Sequence, residues 1–218
     1  QGMKVATGTI KGVRFFLRFR GVYLNDIKDP SKGYKFPDSP MMDVKVRRAL
    51  NKAVNRDEIN KTLLAGKGDL LINNHFHPLY RKGWNPDWEK RFQEDYGYDQ
   101  AKARQLLADA GYGPGKPLTT NVMMTNLPEL PNTLDVMEAV AGYWRQVGVT
   151  VNLVTMDRAE ETRRNNAQEF SNHVSPWVAP SDQFLGAFIF NTYSNRPQGG
   201  DVVQLPEVDD AFQKVRAE

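Results

Sequence analysis

The chain contains no cysteine, which excludes disulfides, zinc–thiolate centres and thiol nucleophiles together. Histidine is scarce, with three in 218 residues, so imidazole chemistry has only His75, His77 and His173 to draw on. No apolar run approaches the roughly 20 residues of a membrane-spanning helix, and no signal-peptide pattern is present. The net charge of +3 is small for this length. Lysines and arginines are interleaved with acids throughout, so a nucleic-acid partner is not implied. A glycine-rich phosphate loop is also missing. Gly113 and Gly115 flank Pro114 and open no helix after a strand. There is no Gly-x-Ser-x-Gly elbow.

What is present is a globular composition, long enough for one domain with a sizeable core. The chain is organised around residues 43–66. Asp43 can cap a helix whose apolar positions, Val46, Ala49, Leu50, Ala53 and Val54, fall on one face. Lys45, Arg47, Arg48 and Lys52 are expected on the solvated side. Asn55 with Glu58 reads as a capping box that restarts the helix in a new direction, burying Ile59, Leu63 and Leu64. Gly66 suits the left-handed stop.

Upstream, residues 13–19 alternate Val13, Phe15, Leu17 and Phe19 with Arg14, Phe16 and Arg18, the pattern of a half-buried strand. Residues 5–10 are its expected hairpin partner, and residues 26–40 read as loop. Residues 68–94 show no periodicity and read as one long loop, uncommon unless it has work to do. Asp99 then caps a helix burying Ala103, Leu106, Leu107 and Ala110, ended by Gly111. Residues 118–124 read as a strand. Asn132 caps a helix with Leu134, Met137, Val140, Trp144 and Val147 inward and Gly148 as its stop. Residues 149–153 are a strand. Asp157 with Glu160 opens a short polar helix to about residue 166, and residues 170–174 are a candidate strand. Pro206 starts a last helix with Val208, Phe212 and Val215 on one side. Strands alternating with helices predict an α/β fold, a mixed sheet with helices packed on it.

Few constellations carry chemistry. His75-x-His77, with His173 as a remote third ligand, has the elements of a metal site. But Pro78 follows directly and no helix presents both rings on one face, so loop histidines bonded to backbone are the simpler reading. No metal or cofactor is expected. The acid pairs Glu160-Glu161 and Asp209-Asp210 are explained by helix starts. The informative stretch is residues 175–185, where Trp177 is followed by Asp182 and Phe184 in an expected loop after a strand. Trp177 offers a flat apolar face and one donor. Asp182 is a candidate partner for an amine or hydroxyl, or the cap of a helix over residues 183–190. Phe76, Tyr80, Trp84 and Trp88 are candidate stacking surface or loop packing, and His75 stands beside Phe76.

Two segments also carry a family resemblance. The aspartate-led Val46-Arg47-Arg48-Ala49-Leu50, with Ala53-Val54, Arg56 and Ile59 after it, is one. The other is Tyr98-Asp99, Lys102-Ala103, Leu106-Leu107 and Ala110-Gly111-Tyr112. In this order and at this separation they resemble the ABC-transporter solute-binding proteins of the dipeptide-, oligopeptide- and nickel-binding family. The resemblance implies that residues 1–218 are a single lobe of a type II periplasmic-binding-protein-like fold, with the second lobe of the same protein outside this chain. It also implies non-catalytic capture of a peptide or other small molecule by lobe closure, delivery to an ABC permease, and an extracytoplasmic place. By the same resemblance Trp177, Asp182, Phe184, His75 and Phe76 are the candidate ligand contacts. The family's peptide binders place an acid three residues after the tryptophan. Pro180 stands there in this chain, so the amine-binding carboxylate is missing from its expected position. Two other readings stay open: an α/β hydrolase or transferase using His75 or His77 with a distant acid, and a protein-interaction module.

Overall fold

The computed structural model describes residues 13–72, 84–180 and 204–217. Strands β1 (Val13–Arg20), β2 (Thr119–Met124), β3 (Thr150–Thr155) and β4 (His173–Pro180) form one sheet in the order β1-β4-β2-β3. β4 is antiparallel to β1 and parallel to β2, and β2 is parallel to β3. The helices of the described residues are α1 (Val44–Lys52), α2 (Arg56–Leu63), α3 (Asp87–Tyr96), α4 (Gln100–Asp109), α5 (Thr133–Gln146), α6 (Arg158–Asn166) and α7 (Pro206–Ala217). The fold is the mixed-sheet α/β arrangement expected. The hairpin partner expected at residues 5–10 lies outside the described residues. Within the described residues β1 pairs with β4, far along the chain.

Local capping sets the helices. The Asp43 carboxylate accepts from the Lys45 N–H, Asn55 from Glu58, Asp99 from Lys102 and Asp157 from Glu160. Each satisfies a first-turn donor that has no partner within the helix. All five apolar positions expected of the first helix are buried. So are Ala103 and Leu107 of α4, whereas Leu106, Ala110, Leu63 and Leu64 are half-buried. In α5 the buried stripe runs Thr133, Val136, Met137, Val140, Ala141, Trp144. Leu134, expected inward, is 40% exposed. Its neighbour Thr133 leads the stripe, and adjacent helical residues point about 100° apart. Asn132 sits at the N-cap position of α5 but makes no side-chain cap there; its amide donates to the Leu63 carbonyl instead.

Three expectations need correction. Residues 68–94 are not one unbroken loop, because α3 begins at Asp87 with the Asn85 side chain accepting from the Asp87 N–H. Trp88, Phe92 and Tyr96, spaced four apart, share a face of it, and Phe92 is buried. Lys52 is buried rather than solvated, because α3 covers its side of α1 and its ammonium reaches the Gln93 carbonyl at 3.4 Å. Arg47 is half-buried and donates to the Met41 and Met42 carbonyls. The last strand does not span residues 170–174; it begins at His173 and runs to Pro180.

That last shift depends on Pro176, which cannot donate to a sheet ladder. β4 pairs with β2 only at His173 and Val174. Further along, among the described residues, β4 has just β1 beside it, so on its other side Pro176 interrupts no described ladder. The two sheet faces differ sharply. Phe15, Leu17 and Phe19 join Val174, Val122 and Val151 in the core with α1, α4 and α5. Trp144, fully buried, donates its indole N–H to the Leu50 carbonyl at 2.8 Å and ties α5 to α1. The opposite face is polar and is partly covered by α6. At the end of β1, Gly21 has φ +108°, and a Cβ there would come within 2.1 Å of the Ser171 carbonyl oxygen, so the close approach of these two backbones needs glycine. Gln204, also fully buried, clasps the chain just beyond: its N–H donates to Val22 and its side-chain oxygen accepts from Leu24.

Candidate functional site

Alternation along β1 sends Arg14, Phe16, Arg18 and Arg20 to the polar face. The antiparallel register sets Phe16 opposite Trp177, Arg18 opposite Ser175 and Arg20 opposite His173. The face therefore carries arginines and aromatics from two adjacent strands, with α6 laid across one end.

At that end the chemistry is buried. Arg20 is 2% exposed. It donates to Ser175 Oγ at 3.1 Å, to Asn165 Oδ1, and to Glu161 Oε1 at 3.5 Å. Glu161 also accepts from the Thr125 hydroxyl at 2.9 Å. The otherwise polar α6 is thus held to the sheet by one carboxylate turned inward, its charge matched by a buried guanidinium.

At the other end the face is less deeply buried. The Arg18 guanidinium carbon lies 3.7 Å from the Trp177 ring centroid and that of Arg158, the first residue of α6, lies 4.8 Å from it. Trp177 and Arg18 are half-buried and Arg158 is exposed. These are close cation–π distances. Trp177 thus stands on a strand rather than in the expected loop, and its flat face is in contact with guanidinium.

His173, opposite Arg20 at the buried end, packs on Phe170 with centroids 4.9 Å apart, and its Nδ1 has no hydrogen-bond partner among the described residues. Burial, reinforced by the positive charges of Arg164 and Arg20, lowers its pKa from 6.5 to about 4. Between those values the unfolded chain binds a proton that the folded chain refuses. The corresponding stability is complete above 6.5 and is lost as pH falls toward 4. We expect the His173 imidazole resonance to titrate near 4, and His173→Phe to flatten the fall of urea-melt stability over that interval. A midpoint near 6.5 would contradict this.

Of the candidate ligand contacts, only Trp177 falls among the described residues; Asp182, Phe184, His75 and Phe76 lie outside them, as do His77 and Tyr80. Trp84 packs edge to face on Trp88 of α3 at 5.3 Å. Among the described residues no group of three or more His, Cys, Asp or Glu side chains is placed to hold a metal ion. Sequence reasoning weighed Arg18, with Arg14, as a residue that could face a cleft but did not assign it to the site; it passed over Arg20, Arg158 and the inward role of Glu161. The phenylalanine–arginine alternation of β1 was the available signal for Arg18 and Arg20. For Glu161 there was none, since its partner is 141 residues away.

The class of fold is a mixed-sheet α/β arrangement shared with periplasmic binding proteins. The same fold occurs in the murein tripeptide binding protein MppA of Escherichia coli, at a TM-score of 0.68 and 21% identity over 96% of this chain and 37% of that one. It occurs also in NikZ from Campylobacter jejuni, solved in complex with Ni(L-His), at 0.61 and 21% over 94% and 41%. Residues 12–197 match the family described as bacterial extracellular solute-binding proteins, family 5 Middle, and the chain belongs to that family. Its relatives include the dipeptide-binding protein of E. coli K12, 33% identical over 66% of this chain and 26% of that protein. Another is the periplasmic oligopeptide-binding protein OppA of Salmonella typhimurium LT2, 38% identical over 72% and 29%. The chain thus matches only about a quarter to three-tenths of the length of these two relatives, both of which are named as binding proteins.

Proposed function

We propose that this chain is the ligand-holding lobe of an extracytoplasmic solute-binding protein that captures a peptide or other small molecule and presents it to an ABC permease. Capture is grip and release without covalent chemistry: the lobe and its counterpart close around the ligand, which stabilises the closed state by its differential affinity alone. The observation that carries the reading is the family match over residues 12–197, which contains the whole polar sheet face. Trp177 belongs to the ligand wall, and Asp182, Phe184, His75 and Phe76 are assigned to the same wall by the family resemblance.

One lobe supplies only part of such a site. Di- and tripeptides titrated into this chain are therefore expected to bind no tighter than about millimolar, worth roughly 4 kcal/mol. Amide shifts should gather on β1 and β4 around Arg18, Ser175 and Trp177. Micromolar affinity by calorimetry, or shifts centred on the α4–α5 side, would overturn this reading.

A further inference from the structure

We infer that α6 is a releasable strap: it lies across the buried end of the polar sheet face by charge and hydrogen bonds alone, and acid lifts it off while the rest of the fold stays closed. Neither the strap nor its release depends on which ligand the chain takes. α6 has no hydrophobic hold. Its nine residues include one apolar side chain, Ala159, which is exposed, and its one buried residue is Glu161. A surface helix ordinarily docks by an apolar stripe, and packing of that stripe supplies most of its stability. Here charge does the seating. Arg20 donates to both Glu161 and Asn165, which lie one helical turn apart, and Thr125 donates to Glu161. The Arg164 guanidinium lies 4.9 Å from the Phe170 ring centroid, and Arg158 rests on Trp177. The chain leaves the helix through Gln168 at φ 53°, a left-handed conformation that unwinding would relieve.

His173 makes the seating sensitive to protons. Arg20 stands opposite it on β1, Arg164 acts on it from α6, and Glu161 of α6 is committed to Arg20. β2 sets the neutral Asn121 against it, Phe170 packs on its ring, and Glu169 is held by Arg163 and Arg164. An imidazolium under the seated strap would be a third positive charge beside Arg20 and Arg164, so the seated form needs His173 neutral. Its pKa of about 4, against an ordinary 6.5, reflects this. When α6 leaves, Arg164 goes with it and the ring meets water. The released form then takes up a proton that the seated form refuses. Release is therefore favoured progressively as pH falls from 6.5 toward 4, and is indifferent to pH above that window. A nine-residue helix does not hold its shape alone in water, so release is also unwinding. It uncovers Arg20, Ser175 and the face of Trp177 on which Arg158 rested.

The test is amide hydrogen exchange on the 218-residue chain, corrected for intrinsic exchange chemistry and compared between α6 and the core helix α5. The α6 amides are expected to open more readily than those of α5, and their opening should respond little to small additions of urea, because little apolar surface is exposed. From about pH 7 to about pH 5 the α6 opening constant should rise by about tenfold; full recovery from a pKa of about 4 to 6.5 sets a ceiling of about twentyfold. In His173→Phe, which keeps a ring against Phe170, that rise should vanish. Equal opening free energies for α6 and α5 would make them one cooperative unit and overturn the strap. Opening of α6 that ignores pH, or a rise that survives in His173→Phe, would overturn the proton coupling. The first two comparisons use the parent chain alone, so they decide the matter even if the variant fails to fold.

Discussion

Trp144→Ala is expected to lower the stability of the fold by about 3–5 kcal/mol, the range for truncating a large buried aromatic. Trp144 has no exposed surface and lies where α5, α1 and the sheet meet. Its indole also does a polar job. Leu50 is among the last residues of α1, whose carbonyls find no partner within the helix. The Trp144 N–H supplies one at 2.8 Å. Trp144→Phe keeps most of the ring but leaves that buried carbonyl unmet, so it should cost about 1–3 kcal/mol on its own account. Urea unfolding with an unchanged slope measures both. Since a domain's whole stability is about 5–15 kcal/mol, the alanine variant should be conspicuously fragile. A midpoint within error of the parent chain would mean that α1 and α5 do not share one core.

The second large effect is at Arg20 and Glu161. Removing the acid alone, as in Glu161→Leu, leaves a guanidinium with 2% exposure and no counter-charge among the described residues, and should cost about 3–5 kcal/mol. Replacing both, Arg20→Met with Glu161→Leu, should cost clearly less than the two single changes added, with a coupling of about 0.5–3 kcal/mol. Strict additivity would show that the two side chains act independently. Because the pair is buried, the single-variant losses should vary little with added salt, unlike those of the exposed Arg163–Glu160 pair. The double variant is the cleaner probe of function too. If α6 loosens, ligand binding on the polar sheet face should weaken even though Trp177 itself is unchanged.

Much of this architecture was legible because its signals are local. An aspartate or asparagine before an apolar stripe places a helix start within a residue, and Asp43, Asn55, Asp99 and Asp157 all behave so. β1 was legible from alternation alone. α3 was missed because Trp84-Asn85-Pro86 reads as loop and hid the aromatic spacing that follows. β4 was misplaced because Pro176 and Pro180 argue against a strand, and only the partial overlap with β2 explains why they are tolerated. The polar face was least legible. That Arg20 meets Glu161 and that Arg158 meets Trp177 depends on how distant segments are laid together, which no spacing rule encodes. Lys52 fails for the same reason, since a helix from elsewhere covers it.

The pairing of β1 with β4 has a consequence in time as well as in space. Arg20 and Ser175 are 155 residues apart. At ribosomal speeds of about 5–20 residues per second, β1 therefore waits roughly eight to thirty seconds for its neighbour to be made. Throughout that interval its Phe-rich edge is a bare template for a stranger's strand. The alternating arginines keep like segments from zipping together meanwhile, so the charges that later line the polar face first serve as chaperones of their own strand.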